Sequence, residues 1–121
     1  SFMGTTNIPA RLEPDIKQTF LLNIYPPENP KNQYARLRMH TREPILTETE
    51  IVVWINGKRA KATSDISAFY ENPWDEMISF QDRRKAWMYP VDNLKHGTNR
   101  IDVLLTGSQS ATVEFIDMAV R

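Results

Sequence analysis

The run Ile51-Val52-Val53-Trp54-Ile55 leads straight into Asn56-Gly57. β-branched and aromatic residues in succession favour a strand. Asn-Gly is the pair selected by a two-residue type I′ turn, because both central residues need positive φ. The chain is therefore expected to reverse at 56–57, with residues 58–63 as a polar return strand near a sheet edge, where lysines discourage unwanted pairing. A turn fixed at that point also fixes register, and register decides which face of each strand turns inward. A second segment carries the same information. Residues 86–91 read as a strand, and Leu94-Lys95-His96-Gly97-Thr98-Asn99 reads as a turn in which Gly97 supplies positive φ. Ile101, Val103 and Leu105 then alternate along one face of the next strand.

The rest of the chain keeps this rhythm. Phe20, Leu22 and Ile24 alternate with Leu21, Asn23 and Tyr25, a strand pattern. Pro26-Pro27-Glu28-Asn29-Pro30-Lys31-Asn32 is a loop, since its prolines remove backbone donors and fix φ. Along 34–41, Ala35, Leu37 and Met39 share one face, and Tyr34, Arg36, Arg38 and His40 share the other. That is a half-buried strand with a basic outer face, read most simply as solvated. The same stripe could meet an anionic polysaccharide or a neighbouring domain. Residues 64–76 form a longer connection with Phe69, Tyr70 and Trp74; a helical turn at 67–72 would end at Pro73. A short strand is expected at 77–81, a charged turn at 82–85, a hairpin turn at 107–110 and a last strand at 112–120. The sum is about eight strands with turn signals roughly every 8–12 residues, the spacing of an all-β antiparallel sandwich or barrel.

A length of 121 residues fits one domain, and 40% hydrophobic residues suffice for one core. Ser1-Phe2-Met3-Gly4 reads as a cloning remnant, residues 5–17 with Pro9 and Pro14 as a lead-in segment, and 18–121 as a single sandwich domain. That start leads us to expect a domain cut from a larger protein, and no signal peptide is visible in this sequence. Lysine plus arginine equal aspartate plus glutamate at 15 each, which gives no electrostatic case for nucleic acid or an anionic membrane. The chain has no cysteine, so neither disulfides nor thiolate-bound zinc enter the fold.

Val53-Trp54-Ile55-Asn56-Gly57-Lys58, Tyr89-x-Val91, Leu94-Lys95-x-Gly97-x-Asn99-x-Ile101-x-Val103 and the closing strand Glu114-Phe115-Ile116-Asp117-Met118-Ala119-Val120 together resemble the galactose-binding-like jelly-roll domains. These include the sugar-binding domain of β-galactosidase-type glycoside hydrolases and accessory carbohydrate-binding domains of bacterial polysaccharide-degrading enzymes. The likeness spans roughly residues 35–121, judged by strand spacing. It implies a jelly-roll sandwich, a non-catalytic accessory role with glycan as partner, adjacent domains in a longer chain, and a secreted or periplasmic setting. It also implies a structural calcium in many members. Here Asp65 and Asp92-Asn93 are the only loose candidates, and turn formation is the simpler reading of them.

The residues themselves argue for binding over catalysis. A glycosidase needs two carboxylates facing across a cleft. The acids Glu43, Glu48, Glu50, Asp75, Glu76, Asp82 and Asp117 are scattered, and no nucleophile elbow, phosphate loop or zinc helix motif occurs. Sugars offer C–H faces to aromatic rings and hydroxyls to planar polar groups. Tyr70, Asn72, Trp74 and Asp75 supply that mixture on one loop, and Trp87 with Tyr89 could add to it. The competing reading places Trp74 over the end of the core and Trp87 inside it. Trp54 is read as structural. The alternatives to an accessory glycan-binding domain are a spacer packed on a catalytic neighbour and a stand-alone glycan-cleaving enzyme.

Overall fold

A computed structural model describes residues 8–63 and 83–120. The strand expected at 77–81, the helical turn at 67–72, and Asp65, Tyr70, Asn72, Trp74 and Asp75 lie outside the described residues. Within them are nine strands: β1 (Ala10–Leu12), β2 (Gln18–Ile24), β3 (Tyr34–Thr41), β4 (Glu50–Ile55), β5 (Lys58–Arg59), β6 (Lys61–Thr63), β7 (Arg84–Pro90), β8 (Gly97–Thr106) and β9 (Ala111–Ala119). They form two antiparallel sheets, ordered β1-β9-β3-β7-β6 and β2-β8-β4-β5. Successive strands from β1 to β4, and again from β7 to β9, alternate between the sheets, the winding of a jelly-roll sandwich. The sheet begins at Ala10, within the segment read as a lead-in. Ala10 and Leu12 pair with Val113 and Ala111 and are buried in the core.

The core is the set of inward positions that the alternation marks. Phe20, Leu22 and Ile24 of β2 face Ile101, Val103 and Leu105 of β8 and Val53 and Ile55 of β4 on one wall. Ala35, Leu37 and Met39 of β3, Trp87 and Tyr89 of β7, and Ile116 and Met118 of β9 form the other. Each sheet thus buries one face against the other, the arrangement that removes most apolar area from water.

The expected return strand at 58–63 is not one strand. Lys58 and Arg59 pair with β4, whereas Lys61 to Thr63 pair with β7 in the opposite sheet. Ala60 is the crossing point: it is buried, and its N–H donates to the Val53 carbonyl at 2.9 Å. A small side chain lets the backbone pass between the sheets there. The strand at the other side of this region starts earlier than 86, at Arg84, because His40 of β3 pairs with it.

Two turns converge on one side chain. Asn56 and Gly57 take φ of 52° and 86°, and Gly97 takes 101°, as the turn residues require. Asn99, fully buried, accepts the Asn56 Nδ2–H at 2.9 Å and the Lys95 N–H at 2.8 Å, and donates to the Lys95 and Gly97 carbonyls at 2.8 and 3.1 Å. Its two lone pairs and two amide hydrogens are all used. Nearby, the buried Tyr89 hydroxyl donates to the Ile55 carbonyl at 2.8 Å. At the far end of the sandwich, the Glu43 carboxylate accepts the Thr112 N–H at 2.6 Å, the Thr112 hydroxyl at 3.1 Å and the Arg11 guanidinium at 2.9 Å, tying the chain beyond β3 to β1 and β9.

Asn99→Ala is expected to lower unfolding free energy by about 2–4 kcal/mol, since buried carbonyls and an N–H lose partners together. Urea denaturation monitored by tryptophan fluorescence reads this, and Asn99→Asp, which keeps shape but loses both donors, should fall in the same direction. A second expectation concerns acid. Burial works against ionisation of Glu43, but the N–H groups of Thr112 and of Glu43 itself, the Thr112 hydroxyl and the Arg11 guanidinium outweigh it and hold the carboxyl below its ordinary 4.5. A depressed folded-state pKa contributes stability above the ordinary value and loses it as pH falls through the folded value. Stability should therefore drop below about pH 4.5. Glu43→Gln should be less stable than the parent at pH 7, with the gap closing as the pH is lowered.

Candidate binding cleft

β5 is only two residues long, so it covers β4 at Trp54 and Ile55 and leaves the start of β4 uncovered on that side among the described residues. The gap between β4 and the β6–β7 pair opens as a cleft of about 340 Å³. Its floor is apolar, from Ile45, Ile51, Ala86 and Trp87. Its rim carries the Thr47, Thr49 and Thr63 hydroxyls, the Glu50 carboxylate and the Lys85 ammonium. A second hollow of about 220 Å³ adjoins it along Ile51 to Val53 and Arg59 to Ala62, and Trp87 lines both. Backbone groups contribute as well. In an antiparallel strand, alternate residues bond to opposite neighbours. Because the Asn56 N–H donates to the Arg100 carbonyl, the even residues of β4 face β8, and the N–H and C=O of Ile51 face the cleft. Glu50 is held across the rim by Arg59 at 3.2 Å.

The outer face of the five-stranded sheet corrects the reading of the basic stripe as solvated. Arg38 is 6% exposed and Asp117, opposite it on β9, 2%. The guanidinium meets the carboxylate in a two-pronged pair, Nε to Oδ1 at 3.1 Å and Nη2 to Oδ2 at 2.9 Å. Arg84 is also buried, and Arg36 and His40 are half-buried. Burial, then the adjacent Arg84 and also Arg83, hold His40 below its ordinary 6.5 against the opposing pull of Glu114. That environment favours the neutral imidazole. Tyr34 alone of the stripe is exposed. The pair holds β3 to β9 across the middle of the sheet.

Of the sequence-derived site residues, Trp87 is the one within the described residues. It is 3% exposed and packed between the sheets beside Leu37, contributing to the cleft floor. Tyr89 points into the core with it. Trp54 lies on the outer face of the four-stranded sheet, half-buried, with the Lys17 ammonium 4.6 Å from its ring centre. Asp92 and Asn93 belong to a 3-10 turn, Val91–Asn93, in keeping with the turn reading of that pair. Among the described residues no group of three or more His, Asp or Glu converges as a metal site, and Glu50 is the one carboxylate that lines the cleft. The sequence reading missed Thr47, Thr49, Thr63 and Lys85. No periodicity relates 45–51 to 85–87; only the sheet crossing at Ala60 brings them to one edge.

Removing one member of the buried pair should cost more than removing both. Asp117→Ala is expected to destabilise by about 3–5 kcal/mol because it takes a two-pronged carboxylate partner from a buried guanidinium. Arg38→Met with Asp117→Leu should recover most of that loss in the same denaturation assay. No family model matches the chain, and no curated protein matches it.

Proposed function

We propose that this chain is a non-catalytic accessory domain of a carbohydrate-active protein, and that it binds glycan at the cleft beside Trp87. The observation that carries the reading is the make-up of that cleft: an apolar floor edged by an indole, ringed by three hydroxyls, a carboxylate, an ammonium and the backbone groups of Ile51. A pyranose needs this mixture, C–H against apolar surface and hydroxyls against planar or small polar groups. The volume falls at the lower end of ligand pockets, which run about 300–1,000 Å³. The likeness of the turn motifs to galactose-binding-like domains points the same way. The chain continues from Thr63, on the rim, into the segment that contains Tyr70, Asn72, Trp74 and Asp75, the aromatic and polar residues singled out from sequence. A spacer role, with the domain packed on a catalytic neighbour, is the second reading, favoured by the exposed Ile16, Tyr34 and Leu46.

Calorimetric titration against a panel of plant and bacterial oligosaccharides checks the proposal. Ala62→Phe fills the cleft without removing a core side chain, and it should weaken binding at least about tenfold, or 1.4 kcal/mol. Trp74→Ala should weaken it as well. Binding that survives Ala62→Phe unchanged moves the site elsewhere. Silence across the whole panel, with marked stabilisation when flanking domains are restored, selects the spacer.

A further inference from the structure

Four strands end the two sheets, and three of them are protected. β1 is three residues long, carries Arg11 and is followed by Pro14; β5 is Lys58-Arg59; β6 is three residues long and begins with Lys61. Short, cationic or proline-flanked edges are the usual means by which a sheet avoids pairing with another chain. β2 is flanked by Lys17 and Pro26, but within the strand itself it has none of these. Gln18-Thr19-Phe20-Leu21-Leu22-Asn23-Ile24 is seven residues long, without charge or proline, and pairs with β8 through an unbroken register. Its outer side has no neighbouring strand among the described residues.

The backbone of β2 is set to receive one. Even residues of β8 bond to β4, so odd residues of β8 bond toward β2, as the 2.8 Å bond from the Asp15 N–H to the Leu105 carbonyl also shows. Phe20 and Leu22, opposite Ile101 and Asn99, therefore use their backbone groups on β8. Thr19, Leu21 and Asn23 direct theirs to the open side. Leu21 is 57% exposed and Tyr25 61%.

We propose that β2 is the docking edge for a second copy of this chain, the two β2 strands pairing antiparallel with Leu21 opposite Leu21 of the partner subunit. The strand is self-complementary in that register. Thr19 falls opposite Asn23 of the partner subunit, polar against polar, and Lys17 opposite Tyr25 of the partner subunit, a cation against a ring. No like charges meet, the exposed leucines cover each other, and every outward backbone group from Thr19 to Asn23 gains a partner. A two-fold axis closes the contact, so association stops at a dimer with one continuous eight-stranded sheet, four strands from each copy. β2 and β5 lie at opposite ends of the four-stranded sheet, so both Trp87 clefts stay open. The dimer does not depend on the glycan reading.

Sedimentation equilibrium up to about 1 mM, the weak end of specific association, should give about twice the 14.1 kDa chain mass. Leu21→Lys should return the mass to that of one chain, while Leu46→Lys, at a site 51% exposed and outside β2, should leave the dimer intact. Register is read separately. The chain has no cysteine, so Leu21→Cys can form only an intermolecular disulfide. Bonded antiparallel partners sit about 5.5 Å apart at Cα, inside the span of a disulfide. Mild oxidation should yield a covalent dimer from Leu21→Cys and far less from Leu46→Cys. A single-chain mass at every concentration overturns the proposal, as does a dimer that Leu21→Lys leaves intact.

Discussion

The four hydrogen bonds of Asn99 hold the rest of the sandwich in place. Asn99 sits near the start of β8, the strand that pairs with both β2 and β4. Its amide joins the turn leading into β8 to the turn leading out of β4, so two reversals far apart in sequence are fixed relative to each other. A slip of one residue in β8 would turn Ile101, Val103 and Leu105 outward and break both pairings. The side chain is buried without cost because nothing on it is left unpaired. Register in the four-stranded sheet is therefore specified by one polar group as well as by the apolar pattern.

Local features of the fold are readable from the residues. The alternation at 34–41 predicts β3 residue for residue, and Asn56-Gly57 predicts a hairpin whose φ values follow. What cannot be read is which sheet a strand joins. Lys58 to Thr63 is one unbroken polar run, yet it splits between sheets at Ala60, because the choice is made by β4 and β7 as neighbours and not by any local signal. Arg38 has the period of a solvated position. Its charge is met by Asp117, a partner 79 residues away that no spacing rule connects to it. The cleft has the same character: Trp87 stands out in the sequence as an aromatic, but its companions at 45–51 and 63 are ordinary until the sheets meet.

The two sheet faces and the cleft divide the molecule's surface by chemistry. On the outer face of the five-stranded sheet, Arg38 and Asp117 are paired with each other. The outer face of the four-stranded sheet keeps Trp54 under Lys17, so an indole there is already engaged by a cation. The edge between β4 and β6–β7 is where backbone donors, hydroxyls and an apolar floor coincide with space for a small ligand.

The ladder between β6 and β7 has a further consequence. Thr63 pairs with Ala86, so both ends of the intervening stretch are anchored to a register that the scaffold already fixes. The cost of closing a chain between two fixed points grows only slowly with its length, so the register at Thr63 and at the start of β7 is held by the ladders themselves and not by the number of residues that join them.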